Sequence, residues 1–243
     1  AIKPGIQYDN SLSTTVGRPT MRNASGVYDE TATHALVFML GGVATRWKQT
    51  VAYEYTSNSF SAEEMQEKVY SIISRAHKVG LQVRAVISDM GGQNRGFWRL
   101  MNVVASRHSK INNFVPHPVN DKEKLFIMPD CVHIFKNVAA ALTNGRTFYL
   151  DQSVVKNQHL PSNFISIEAI TQVFLLDQGD VLKLCPHLKT NVLSPSHFEK
   201  MNVSLSVALL NHDVGAAILY HITKKNMEKK YLTTAWFVFL IHK

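Results

Sequence analysis

Residues 82–100 read QVRAVISDMGGQNRGFWRL, and this stretch decides the fold class. Val83, Ala85, Val86 and Ile87 form a short apolar run of the kind that makes a strand covered on both faces. Asp89 stands where that strand leaves the sheet, and in open α/β sheets ligands bind at that edge. Gly91 and Gly92 let the backbone turn, after which Phe97, Leu100, Met101 and Val104 share one face of a helix. Strand, carboxylate, turn and helix in this order predict a central strand that presents Asp89 from a rigid element. A carboxylate held this way suits a divalent cation, because hard cations take oxygen ligands and need a scaffold that fixes their geometry. The position also suits a cap on the following helix, so spacing alone leaves both roles open.

Working outward, residues 34–40 (HALVFML) and 49–55 (QTVAYEY) flank a Gly41-Gly42 turn and read as an antiparallel hairpin. Residues 2–30 mix Gly, Pro, Asn, Ser and Thr around isolated apolar spots and read as a long loop or an irregular hairpin. Ser61 followed by Glu64 is a capping-box pattern, and Met65, Val69, Ile72, Ile73 and Ala76 recur at helical spacing until Gly80. Downstream, residues 112–124 read as a polar loop with prolines and 125–128 as a short strand, and Asp130 after Pro129 opens a helix through Val132, Phe135, Val138 and Ala139. From about Thr143 strand signals nearly vanish, and apolar helical patterns cover 164–176, 198–220 and 231–241. The sequence therefore predicts an α/β domain over 1–138 followed by a mostly α-helical one over 139–243.

A chain of 243 residues with 45% hydrophobic content has ample material for a core. A net charge of +8 and a pI near 9.5 favour an anionic partner, nucleic acid being the commonest. The two cysteines, Cys131 and Cys185, form neither a CxxC pair nor a disulfide framework, which favours a reducing compartment. The longest apolar run, 234–241, is too short to span a bilayer, so no membrane partner is expected. Both ends read as cut inside structured segments, and the chain is expected to be a soluble piece of a longer protein.

Five stretches carry a family resemblance: HALVFMLGG, then RWKQTVAYEYT, SDMGGQNRGFW, MPDCVHIFKN and PHLKTNVLSPSHFEKMNV. In this order they resemble the P-element family of DNA transposases and its THAP-type relatives, and the similarity covers essentially the whole chain. The resemblance implies an RNase H-like catalytic core, here incomplete with its first strand missing, followed by a helical insertion that binds guanine nucleotide. It implies three acids holding two divalent metals, Mg²⁺ or Mn²⁺, with Asp89 matching the second. The first acid falls just before Ala1, in a motif that precedes stretches like AIKPGIQYDN, and the third beyond Lys243. Phosphoryl transfer through two metals needs several converging carboxylates, so this chain alone is expected to be inactive.

The resemblance also covers a D-x-x-H-x-x-K-N pattern at Asp130, His133, Lys136 and Asn137. Their spacing places them roughly along one helix face, where a role near an active site or a DNA backbone is one reading; a cap at Asp130 with a hydrogen-bonded histidine at the core edge explains them without function and is the preferred one. Cys131 and His133 are two ligands without partners and carry no zinc site. Gly91, Gly92 and Gly96 do not match a dinucleotide turn. Trp47, Lys48, Arg95, Trp98 and Arg99 interleave aromatic and basic residues as strand-binding grooves do, but tryptophans are more often core. In the implied insertion, His187, Asn202 and Val203 fall on the nucleotide-binding motif, with His187 where the family has Lys. With a shorter imidazole in place of an ammonium, this chain is expected to bind GTP weakly or not at all. Two functions follow. The longer protein is a cut-and-paste transposase that cleaves element ends and joins 3′ hydroxyls to target DNA in the nucleus, with homo-oligomer assembly, or it is a domesticated or decayed relative that binds DNA or protein without catalysis.

Overall fold

The computed structural model describes residues 1–104, 110–179 and 181–242. They divide into two compact units, Ala1–Asp130 and Cys131–Lys243. The sequence-based boundary at 138/139 falls inside a continuous helix, Cys131–Thr143, which belongs whole to the second unit.

In the first unit the irregular N-terminal stretch holds a small hairpin, β1 (Gln7–Asp9) paired antiparallel with β2 (Thr14–Val16). The alternating pattern that follows forms β3 (His34–Gly41) and β4 (Lys48–Thr56), antiparallel with a bulge between Phe38 and Met39. Alternation does the expected work, since Leu36 and Phe38 pack against the core while Val37, Met39 and Tyr53 are exposed. Helix α1 (Ala62–Lys78) starts at Ser61, whose hydroxyl accepts from Glu64 N at 3.2 Å. Only this half of the capping box forms. The Glu64 carboxylate instead accepts from Arg22 N at 2.9 Å and pairs with its guanidinium. At the other end, Gly80 takes φ +84°, its N–H reaches His77 O, and Leu81 N reaches Ala76 O, a complete Schellman stop.

Strand β5 (Ala85–Ser88) and helix α2 (Gly92–Leu100) follow, then β6 (Phe114–Pro116) and β7 (Lys124–Pro129). β5 runs parallel to β7 and β6 antiparallel to it, in the order β5–β7–β6. The sequence reading missed β6, whose Pro116 is tolerated because the strand lies at a sheet edge. Three expectations for 82–104 are corrected. β5 is an edge strand of its sheet rather than a central one, and it is not covered on both faces: Val86 packs on the core, but Ile87 points the other way and is 62% exposed. Helix α2 stops at Leu100, so Val104 no longer lies on its face; Leu100 and Val104 are 38% and 41% exposed. The buried residues there are Phe97, Met101 and Val103, which join Met65, Val69, Ile73, Leu125 and Ile127 in one cluster.

The second unit is helical, as the loss of strand signals predicts, with one short exception. It contains α3 (Cys131–Thr143), β8 (Phe148–Tyr149), α4 (Gln152–Asn157), β9 (Phe164–Ile165), α5 (Ile167–Asp177), α6 (Thr190–Leu193), α7 (Val203–Leu209), α8 (His212–Thr223) and α9 (Leu232–His242). β8 and β9 pair antiparallel. Phe164 and Ile165 look like the start of a helix in sequence, but Ser166 caps α5 behind them by accepting from Glu168 N at 3.1 Å. By length and composition alone, residues 203–223 are apolar enough to cross a membrane. The segment is broken at Leu210 and Asn211, however, and Leu209, Leu210, Val214, Ala217 and Ile218 are buried in the core of this unit. They read as core helices.

Candidate functional site

The register of two parallel strands builds the site. Ser88 of β5 lies opposite Pro129 of β7, and Asp130 N donates to Ser88 O at 2.8 Å. Asp89 and Asp130 therefore follow the carboxyl ends of neighbouring parallel strands at the same level. This is the edge where open α/β sheets take ligands. Asp89 is exposed, and its Oδ1 accepts from Gly91 N at 2.7 Å and from Asn94 Nδ2 at 2.9 Å. The N-cap of α2 is Gly91, without a side-chain bond, so Asp89 holds the turn before the helix rather than capping the helix itself.

The two glycines differ in their reason for being there. A Cβ on Gly91 would stand 2.8 Å from Asp89 Oδ1, whereas one on Gly92 would meet nothing within 4 Å. Gly91 is thus the residue that lets the carboxylate fold back over the turn. Asn94 went unnoticed in the sequence. It holds Asp89 with its amide nitrogen, while its Oδ1 is buried without a hydrogen-bond partner among the described residues. An Asn in the first turn of a helix after an Asp-x-Gly turn is the signal that identifies it. Trp98 is half-buried, and its Nε1 donates to Ser88 Oγ at 3.1 Å, which ties α2 to the end of β5. Trp98 is therefore part of the scaffold, while Arg95 and Arg99 on the same helix are exposed.

Oxygen donors at Asp89 and Asp130 are the right chemistry for Mg²⁺ or Mn²⁺. Among the described residues, however, no group of three or more His, Cys, Asp or Glu side chains comes together. Two carboxylates make only part of a two-metal centre.

The remaining sequence-derived residues lie in the second unit. His133 is half-buried and Asn137 exposed on α3, whereas Lys136 lines a small recess with Ala139, Ala140, Glu199 and Lys200. At i, i+3 and i+4 of one continuous helix, the three share one side of α3. His187 is exposed, and its ring makes no hydrogen bond among the described residues. Asn202 is the N-cap of α7, its Oδ1 accepting from Ser204 N at 2.9 Å, and Val203 is the first residue of that helix. Lys200 Nζ donates to Asn144 Oδ1 at 3.0 Å. Cys131 is exposed and Cys185 buried, both as free thiols. Burial, with lesser help from Asp177 and Asp213, pushes the Cys185 thiol up to about 12, which keeps it protonated and inert.

A family model described as the TNP-like RNase H N-terminal domain matches residues 1–102. The fold is that of a solved chain in the Drosophila P element transposase strand transfer complex, with a TM-score of 0.76 and 18% identity over 98% of this chain and 46% of that one. The Drosophila melanogaster transposable element P transposase is 20% identical over 196 residues, which make up 81% of this chain and 23% of that protein. These matches define an α/β domain of RNase H type with helical sequence after it. The chain is similar in sequence and in fold to the P-element transposase. It spans about a quarter of the length of the P transposase and under half of the solved chain.

Proposed function

We propose that this chain is the central part of a cut-and-paste DNA transposase. Its first unit is the incomplete RNase H-like catalytic core, lacking the first strand, and its second unit is part of a helical insertion. The full-length protein cleaves element ends and joins the freed 3′ hydroxyls to target DNA in the nucleus, working as a homo-oligomer. The observation that carries this reading is the paired position of Asp89 and Asp130 beyond the carboxyl ends of β5 and β7. A carboxylate fixed by Gly91 and Asn94 at a strand end is pre-organised, since its orientation does not have to be won when the substrate arrives. Two divalent cations, when bound, activate the attacking oxygen and stabilise the leaving one. In this reading Asp89 is a direct cation ligand, and Asp130 lies close enough to shape the local charge. The further acids come from sequence outside this chain, so the 243 residues alone do not cleave.

Exposed Arg95 and Arg99 on α2 and the +8 net charge give the chain its attraction for DNA phosphates. The insertion serves guanine nucleotide in the full-length protein, and His187 together with the self-satisfied Asn202 leaves this chain binding GTP weakly or not at all.

The test is Asp89→Asn in the full-length protein. The substitution keeps size and hydrogen bonding but removes charge, so strand cleavage in Mg²⁺ is expected to fall by at least about a hundredfold, with DNA affinity unchanged within about twofold. Cleavage at the wild-type rate would sink the assignment. If the unsubstituted full-length protein binds DNA but never cuts it in Mg²⁺ or Mn²⁺, the domesticated alternative holds instead.

A further inference from the structure

The turn between α8 and α9 reads KKNMEKK over residues 224–230, the densest run of positive charge in the sequence. By default such a run is a loose, solvated segment. This one is held in shape. Asn226 N and Met227 N both donate to His221 O, at 2.9 and 3.3 Å, which folds the chain back over the end of α8. Met227 is then buried in the core of the second unit, as is Tyr231 four residues on. Ser162 Oγ donates to Lys230 O at 2.7 Å and fixes the far side. Two buried anchors and a side-chain bond thus hold a turn whose lysines stay outside: Lys224, Lys225 and Lys229 are exposed and Lys230 partly so.

The carboxylates nearby do not neutralise the turn. Glu228 pairs with Lys230 at 2.7 Å, and Glu168 also acts on that lysine. Lys224, Lys225 and Lys229 make no ion pair among the described residues. Lys224 Nζ lies instead 5.8 Å from the ring centre of Tyr220, which is exposed. Three ammonium groups fixed on one short turn repel each other, and an anion relieves that repulsion. The backbone gives a second sign. Lys225 takes φ +62°, in the left-handed region where Gly or Asn is the unstrained choice. A lysine therefore occupies the position of the turn where the backbone disfavours it, and strain of this kind gathers at binding sites.

We propose that this turn contacts the phosphate backbone of duplex DNA, as an interaction surface of the second unit separate from the Asp89 site. Lysine suits that task, because a compact ammonium meets a phosphate oxygen as a point charge and reads no base. A membrane surface fits less well, since the turn buries its one apolar residue, Met227, rather than offering it for insertion. An acidic protein would need an apolar centre inside the charged rim, and only Tyr220 is there. The choice of DNA as partner rests on the transposase reading. The place of contact does not follow from that reading, since Arg95 and Arg99 lie in the other unit.

Binding of the full-length protein to a duplex of random sequence, followed by fluorescence anisotropy over a range of KCl, tests the surface. Lys224→Gln, Lys225→Gln and Lys229→Gln combined are expected to lower the slope of log affinity against log salt by about 2–3 and to weaken binding in low salt by at least about tenfold. Arg at the same three positions should restore both. Gln at three exposed lysines of the first unit, Lys3, Lys78 and Lys122, removes equal charge and should change the slope by less than about 1. Hydrogen-exchange protection of α8 at the wild-type level verifies that the substituted proteins are folded. An unchanged slope in the triple variant of the turn, or an equal fall with the first-unit lysines, overturns the proposal and leaves the transposase reading standing. So does loss of binding to phosphatidylserine vesicles with DNA binding unchanged, which would make the turn a membrane contact. If the unsubstituted full-length protein binds no DNA at all, the transposase reading itself fails, and the DNA contact with it.

Discussion

Asp89 and Asp130 are far apart in sequence, and two parallel strands in register bring them to one edge. Lys200, Asn202 and Val203 are neighbours in sequence, and each is already engaged in building the second unit: Lys200 bonds Asn144, Asn202 caps α7, and Val203 begins it. The first unit thus supplies a polar site that the fold leaves open to solvent, while the second engages Lys200, Asn202 and Val203 internally and leaves His187 exposed. A short motif is therefore weaker evidence of binding than the place where a scaffold leaves its polar groups. Within the first unit the same rule separates Gly91 from Gly92, because only one of them has a carboxylate folded against it.

The largest effect that would break this comparison is on stability. Ile218 is fully buried at the centre of the second unit's cluster, and Ile218→Ala is expected to cost about 2–5 kcal/mol through lost burial and the cavity left behind. Exchange protection in α8 and α9 should collapse while that of α1 and β7 holds. If protection in both units falls together, the two cores are one cooperative whole and the contrast drawn between them fails.

A smaller effect sharpens the contrast inside the first unit. Gly91→Ala places a methyl 2.8 Å from Asp89 Oδ1, so the carboxylate must shift and its bond with Gly91 N weakens, at a cost of about 0.5–1.5 kcal/mol. Gly92→Ala adds its methyl in open space within a helix, where Ala is favoured over Gly by up to about 1 kcal/mol. Urea denaturation of the two variants should move in opposite directions. Equal shifts would mean that the Asp89 turn does not depend on Gly91.

Much of the first unit was legible in the sequence, because alternation and helical spacing report burial directly. The β3–β4 hairpin, α1 with its Ser61 cap and Gly80 stop, and the strand–Asp89–turn–helix order all appear as read. What escaped was set by partners distant in sequence. Arg22 claims the Glu64 carboxylate that the capping box would use, and no local pattern announces it. Whether β5 is central or at an edge depends on which strands flank it, which an apolar run of this length cannot state. β6 was hidden because its Pro116, with Pro118 just beyond it, mimics a loop, and β9 because its two apolar residues merge with the helix behind Ser166. At the site, Asp89 and Asp130 could be nominated from the sequence, but their shared level came only from the register of β5 and β7. Asn94 was missed because its role is to hold another residue rather than to face a ligand.

The smallest predicted effect bears on the second unit. Asn202→Ala removes the side chain that accepts from Ser204 N, leaving a first-turn N–H of α7 to water. Loss of such a cap costs about 1 kcal/mol, and Asn202→Asp should restore most of it, since a carboxylate accepts the same bond and is favoured at a helix N-terminus. If Asn202 is a cap and nothing more, GTP affinity measured by calorimetry on the full-length protein will be the same for wild type, Asn202→Ala and Asn202→Asp, while chemical stability follows the cap. A drop in affinity with Asn202→Asp but not with Asn202→Ala would mean that negative charge at this position meets phosphate. The motif residue would then be part of a nucleotide site after all, and the difference between the two units would be one of degree.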